Sequence, residues 1–140
     1  MFPGVGTDNL LIIPTCQHAS IDLVNVGDTV EAEKDALLER FFVFARHATD
    51  ALIAGGHWAD YVDPCSGLPM VHKESCGVYG EVDALVSLLG YATSNAGCCK
   101  VVLHPRWGSA VYPASIVTKA PLEATLRALE SAAAALDAGK

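Results

Sequence analysis

The chain has 140 residues, of which 51% are hydrophobic and 18% charged, so it has the composition of a folded domain and not of a disordered segment. Nine basic and sixteen acidic residues give a net charge of −7, which argues against a general nucleic-acid binder because such proteins need a basic surface. The acidity lies in residues 1–70, which hold three basic and ten acidic side chains, whereas residues 71–140 hold six of each. The length predicts a single domain over residues 1–140.

The first part of the chain predicts two short strands and one long helix. Leu10–Ile13 is apolar and is stopped by Pro14, which predicts a strand, and Ile21–Val26 predicts a weaker one. Asp28 or Thr29 is expected to cap the helix that follows. That helix ends at Gly55-Gly56, and its apolar stripe recurs at spacings of three and four residues; it comprises Leu37, Phe41, Phe44, Ala48 and Leu52.

The remainder predicts two hairpins and two helices. Pro and Gly residues mark the turns, and Pro113 indicates a strand at or near a sheet edge because proline lacks the N–H that a ladder needs. The resulting order predicts an α+β fold with a mainly antiparallel sheet and helices on one side. The predicted elements are strands Trp58–Val62 and Leu68–His72 around the turn Asp63–Gly67, helix Val82–Leu89 ended by Gly90, strands Cys98–Leu103 and Ser109–Thr118 around the turn His104–Gly108, and a final helix from Thr118–Pro121 to Asp137.

The five cysteines indicate free thiols. Their number is odd, two are adjacent and none forms a C-x-x-C pair, a pattern typical of a reducing compartment and not of a disulfide framework. The N-terminus carries neither a signal-peptide pattern nor an Arg-rich transit pattern, and no stretch approaches the roughly 20 apolar residues that span a bilayer. We therefore expect a soluble, cytoplasmic protein.

The segment Gly97–His104 carries the most specific chemistry. On a strand, alternation places Cys98, Lys100 and His104 on one face with Val102, and Cys99 on an apolar face with Val101 and Leu103. Cys98 is then the candidate reactive thiol and Cys99 a core residue. A cation lowers the pKa of a nearby thiol, and Lys100 is placed to do so. The alternative is that both cysteines are small buried apolar residues.

Two further sites remain open from the residues alone. A zinc site could draw on Cys98, His104, Cys65, Cys76, His57 and His72, although the usual paired spacings are absent. A Cys-His hydrolase could use Cys98 as nucleophile and His104 or His57 as base. The segment around Asp60 is expected to be a hairpin in which Trp58 belongs to the core and Asp60 is partly covered and paired.

Three motifs together resemble one family. They occur in order at Trp58–Gly67 (WADYVDPCSG), Gly97–Val101 (GCCKV) and His104–Gly108 (HPRWG). Over about residues 57–120 they are similar to the C-terminal domain of the CblD (MMADHC) family of cobalamin-trafficking proteins, while residues 1–50 fit more loosely. Residues 71–90 are not matched, and we expect the protein to lack the long N-terminal extension with a targeting segment found in animal members.

The resemblance implies a flavin nitroreductase-like fold without flavin and without enzymatic activity. It implies an adaptor that binds a cobalamin-loaded CblC-type protein and passes cobalamin towards methionine synthase or methylmalonyl-CoA mutase. The first cysteine of the Gly-Cys-Cys-Lys motif, here Cys98, would coordinate the cobalt of partner-bound cobalamin. Lys100 would hold the thiolate, and His104 and Trp107 would shape the neighbouring turn, completing the expected cobalamin-binding set.

Two other classes of protein remain as alternatives. One is a flavin- or thiol-dependent oxidoreductase on a nitroreductase-like fold, although a basic phosphate-binding signature is absent. The other is a small structural interaction module whose cysteines belong to the core.

Overall fold

In the computed structural model, which describes residues 2, 5–74, 77–97 and 99–139, the chain has an α+β fold with antiparallel strand pairing, as predicted. The strands of the described residues form two separate sheets. One has the strand order β1-β5-β2, and the other pairs β3 with β4. The elements, in chain order, are β1 (Leu11–His18), α1 (Asp28–Ala54), β2 (Ala59–Tyr61), α2 (Glu81–Leu89), β3 (Ala92–Ala96), β4 (Cys99–Leu103), β5 (Val111–Thr118) and α3 (Leu122–Ala138).

The predicted pairing of the last two strands was wrong. The turn closes with two backbone hydrogen bonds between His104 and Gly108, both 2.9 Å long, but β4 then pairs with β3 and not with β5. β5 instead forms the centre of the larger sheet, so Pro113 does not mark an edge strand. Its missing N–H is tolerated because β2 flanks only Ile116–Thr118, which leaves Pro113 without a strand on that side.

Two predictions near the N-terminus also need correction. Strand β1 continues through Pro14, which pairs with Ser115, because β1 lies at the edge of its sheet and one of its sides needs no donor. The segment 21–26 is not a strand. The carboxylate of Asp22 accepts a hydrogen bond from the N–H of Val24 at 3.0 Å, and its carbonyl accepts one from Asn25, so the backbone turns locally.

The helices lie where they were predicted, with small differences at their ends. Phe41, Ala48 and Leu52 of the predicted stripe on α1 are buried. The N-cap of α1 is Gly27, without a side-chain capping bond, so neither Asp28 nor Thr29 caps it. Helices α2 and α3 are confirmed.

Helices cover both faces of the central strand, not one. Ala114 and Ile116 of β5 pack with α1 and α3, in a cluster that includes Phe41 and Ala132. Val111 of β5 packs instead with Leu85 of α2 and Val102 of β4. Because successive strand residues point to opposite faces, α2 and the β3-β4 hairpin lie on the face opposite α1 and α3.

The turn after β2 is confirmed and is joined to the start of α2. The carboxylate of Asp63 accepts the N–H of Cys65 at 2.9 Å, which closes the expected Asx turn. The carbonyl of Gly67 then accepts the N–H of Tyr79 at 2.9 Å. Gly67 has φ +74°, and a Cβ there would overlap the side chain of Val78 and the backbone of Tyr79, so only glycine allows this approach.

Asp60 organises the chain that follows β2. Its side chain is fully buried. The predicted return strand 68–72 is confirmed only at its start, where Val62 and Pro69 form an antiparallel bridge and the N–H of Met70 donates to the carbonyl of Tyr61 at 2.9 Å. Beyond it the chain is a loop that the Asp60 carboxylate holds. The ring of His72 also stacks on Trp58, with centroids 5.1 Å apart. The five donors to the Asp60 carboxylate are the backbone N–H groups of Tyr61 (2.7 Å), Met70 (3.1 Å), Val71 (2.9 Å) and His72 (2.9 Å), and Nδ1 of His72 (2.8 Å).

Among the residues that the structure describes, none of the helices has the length and apolar character needed to cross a bilayer.

We expect Asp60→Ala to lower the free energy of unfolding by about 3–5 kcal/mol, because it removes a fully buried acceptor from four backbone N–H groups, of which only that of Met70 has a second acceptor among the described residues, the carbonyl of Tyr61. His72→Ala keeps the carboxylate and the four backbone bonds, so its loss should be only about 1–2 kcal/mol. Urea unfolding followed by circular dichroism measures both. Equal losses in the two variants would show that the imidazole, and not the backbone network, carries the stabilisation.

Candidate functional site

The principal candidate, Cys98, lies outside the described residues, as does Cys76. Its neighbours are described. Gly97 has φ +63° in the turn between β3 and β4, and among the described residues, its chain neighbours apart, no atom lies within 4 Å of the position a Cβ would take. The turn therefore presents an open side at the residue that precedes Cys98.

Cys99 is exposed, so its assignment to the core was wrong. Val102, which was placed on the solvent side, is 3% exposed and packs against Leu85 and Val111. Alternation along β4 is regular, but the core reaches only the second half of the strand. The first half extends beyond it, so both Cys99 and Lys100 are exposed whichever face they occupy.

Lys100 stands at this exposed end. Asn95 of β3 lies opposite it in the hairpin. The ion pairs among the described residues are Lys34–Glu31 and His72–Asp60, and neither includes Lys100. Its ammonium group is therefore available to an anion at the turn.

His104 and Trp107 lie together at the other end of β4. Nδ1 of His104 accepts the backbone N–H of Arg106 at 3.1 Å and that of Trp107 at 3.3 Å, so the proton of the neutral ring lies on Nε2. The imidazole stacks on the indole with centroids 4.1 Å apart and planes at 12°. These contacts shape the turn between β4 and β5.

The candidate residues therefore divide between two ends of one strand. At a rise of about 3.3 Å per residue, Lys100 and His104 are roughly 13 Å apart along β4. The structure brings His104 and Trp107 together, and it brings Lys100 next to Cys99, but it does not join the two pairs into one pocket.

Two members of the ring cluster at Trp107 were not predicted from the sequence. His18, the last residue of β1, stacks on Trp107 with centroids 4.8 Å apart and planes at 5°. Tyr91 meets His104 edge-on at 5.6 Å. No spacing rule links these residues, because they come together only through the packing of β1 and α2 around β5.

A buried polar group at the start of α2 was not predicted from the sequence. The carboxylate of Glu81 accepts a hydrogen bond from the hydroxyl of Ser115 at 2.7 Å, while its other oxygen is buried and has no hydrogen-bond partner among the described residues. Burial raises the pKa of Glu81 to about 6, against the opposing effect of the Ser115 bond. Burial, together with the Glu81 charge, also raises the pKa of the Cys16 thiol. Cys16 is thus placed as an inert thiol.

The alternative ligands for zinc are dispersed. Within the described ranges, which omit Cys76 and Cys98, no group of three or more His, Cys, Asp or Glu side chains is arranged to hold a metal ion. Nδ1 of His72 is engaged by Asp60, and Cys65 is an exposed free thiol in the Asx turn.

An exposed turn beside an open surface is typical of a binding module, since catalytic sites are usually enclosed. The chain belongs to the methylmalonic aciduria and homocystinuria type D protein (MMADHC) family, whose sequence model matches residues 1–129. This extends the family match well beyond the motifs at 57–120.

Curated relatives agree with the family. The chain is 38% identical over 120 residues to the cobalamin trafficking protein CblD of Rattus norvegicus, and 37% identical over 120 residues to that of Homo sapiens; each match covers 86% of this chain and 40% of the relative. It is 34% identical over 126 residues to that of Mus musculus, with 90% and 43% covered. The chain thus spans about two fifths of the length of these relatives. Their names describe trafficking and not a reaction, in agreement with the non-enzymatic interpretation.

We expect Glu81→Gln to stabilise the fold at pH 7 by about 2 kcal/mol, because one pKa unit corresponds to about 1.4 kcal/mol. The raised pKa means that the folded state binds the proton more tightly than the unfolded state. Ionisation of this carboxyl group therefore does not lower the free energy of unfolding below pH 4.5. It lowers that free energy increasingly as the pH rises to about 6.

Urea unfolding at pH 4 and pH 7.5 tests this, with Asp83→Asn as the matched control on the exposed side of the same helix. The increase in the free energy of unfolding should appear for Glu81→Gln, and only at pH 7.5. A gain of equal size at pH 4 would contradict the burial of a charge at this position.

Proposed function

We propose that this chain is a non-enzymatic adaptor in cobalamin trafficking, which binds a cobalamin-loaded CblC-type protein and offers the thiolate of Cys98 as a cobalt ligand. The proposal extends to a location in the cytoplasm and to delivery towards methionine synthase or methylmalonyl-CoA mutase. Family membership and the names of the relatives support the trafficking role. The fold is expected to be similar to that of flavin nitroreductases, with no flavin bound.

The observation that carries the proposal is the exposure of the described residues on either side of Cys98, which are Gly97, Cys99 and Lys100. Gly97 leaves open space beside the backbone, and Cys99 and Lys100 are both exposed. A large planar cofactor held by another protein can approach such a turn, whereas it could not enter a closed pocket.

The chemistry of the motif agrees with this role. The corrin ring occupies the four equatorial positions of cobalt and leaves the axial positions for exchangeable ligands. A thiolate is a soft anionic donor that suits such a position. A lysine ammonium close to a thiol favours its thiolate form, and Lys100 supplies that cation at the start of β4.

His104 and Trp107 have a positioning role in this proposal. They fix the turn that ends β4, and their stacked rings pack with the cluster that holds Val102. They set the direction in which β4 leads away from the core towards the Gly97–Lys100 turn, and direct contact with the corrin is not required of them.

The decisive experiment mixes the protein with the cobalamin-loaded CblC-type protein and records the visible spectrum of the cobalt centre. Wild type should shift the spectrum and Cys98→Ser should not. Cys99→Ser, which changes the adjacent exposed thiol, is the matched control and should behave as wild type. A spectral shift that survives in Cys98→Ser would remove the thiolate role from this residue.

A second prediction concerns Lys100. We expect Lys100→Met to move the pH midpoint of the spectral change to higher pH, because the thiolate loses a neighbouring positive charge. Lys73→Met, a change at an exposed lysine far along the chain, should leave the midpoint in place. The midpoint is read from spectra recorded across a pH series, and an unchanged midpoint in Lys100→Met would show that this lysine does not activate the thiol.

A further inference from the structure

An open groove runs along the free edge of β4. It has a volume of about 360 Å³, and we call it the β4 groove. Its lining includes Leu23, Val24, Lys34, Lys100, Val101 and Val111. The groove exists because β4 and β5 diverge directly after the bridge between His104 and Gly108 and do not pair along their length.

The backbone of β4 takes part in the lining of this groove. Four consecutive residues of β4, Cys99 to Val102, line it together with Ala96 of β3 at the turn, whereas one face of a strand could contribute only alternate residues. Within the described part of the chain, β4 has a strand partner on one side only, which is β3. Its other side carries N–H and C=O groups that an added strand could pair with.

Two lysines line the groove, and two carboxylates stand at its rim: Glu31 contacts Lys34, and Asp22 accepts a hydrogen bond from the hydroxyl of Ser109, a lining residue, at 2.7 Å. The chain has a net charge of −7, yet the described residues that line the groove include two lysines, Lys34 and Lys100, and no carboxylate. Lys34 contacts Glu31 at 3.6 Å, but this is an exposed ion pair of the kind that contributes little. The remaining lining is mainly aliphatic, with Val82 and Val111 among its members.

The geometry points to an extended, acidic polypeptide segment of the partner protein as the occupant of the β4 groove, added as a strand to the free edge of β4. Its backbone pairs with β4, alternate apolar side chains cover Val111 and Val82, and its carboxylates meet Lys34 and Lys100. This inference rests on the adaptor function for the identity of the partner. It places that partner against Cys99, the residue that follows Cys98 in the sequence.

The first test measures complex formation with the CblC-type protein without cobalamin, by calorimetry at low and at physiological salt. Lys34→Glu and Lys100→Glu should each weaken binding by roughly five- to tenfold, because each replaces a favourable charge pair with a repulsive one. Lys73→Glu is the matched control outside the groove and should bind as wild type. If Lys34→Glu and Lys100→Glu also bind as wild type, the groove is not the docking site and Lys100 only guards a strand edge against self-association.

Hydrogen exchange of the β4 amides in the same complex tests strand addition. The partner should slow the exchange of amides in residues 99–103 and leave those of β3 as they are. If binding depends on the two lysines but the β4 amides are not protected from exchange, strand addition is overturned.

A synthetic peptide separates the groove from the proposed partner. A hexapeptide of alternating valine and glutamate should shift the NMR signals of the β4 amides, whereas its valine-lysine counterpart and an N-methylated version should not. If the acidic peptide shifts none of these signals, the β4 groove is not a binding site for an acidic extended segment. Cys98→Ser should form the complex normally while losing the cobalt spectrum, so failure of the thiolate role and failure of the docking site give different results.

Discussion

The buried carboxylate of Asp60 holds the segment that connects the central sheet to α2. Its oxygens gather backbone donors from β2 and from residues 70–72, so a loop without regular secondary structure acquires a fixed path. The turn before this loop is joined to Tyr79 through Gly67, and α2 begins two residues later. Because Leu85 of α2 packs on Val102, the position of β4 depends on this chain of contacts.

This dependence explains why the candidate site is exposed. β4 is fixed at its second half by α2 and β5, and at its end by the stacked rings of His104 and Trp107. Among the described residues, β3 is the one strand that pairs with its first half. The exposed start of β4, at Cys99 and Lys100, therefore extends from a rigid base, an arrangement that suits a ligand offered to another protein better than a residue that acts on an enclosed substrate.

The same separation of β4 from β5 produces both the exposed start of β4 and the β4 groove beside it. A fully paired hairpin, as predicted from the sequence, would have closed the groove and used the free edge of β4. The proposed docking surface and the proposed cobalt ligand are thus consequences of one departure from regular pairing. Lys100 belongs to both, since it stands next to the thiol motif and also lines the groove.

Local patterns in the sequence determined the α+β class, the three helices, the Asx turn at Asp63 and the family, because each depends on spacing or on residues close together in the chain. They also selected Gly97–Lys100 as the segment of interest. Tertiary structure decided the rest: that Pro14 and Pro113 lie within strands, that Cys99 is exposed while Val102 is buried, and that His18 joins Trp107. Alternation tells which side chains share a face, but burial depends on how far the neighbouring elements extend over that face, and this is set by contacts between residues distant in the chain.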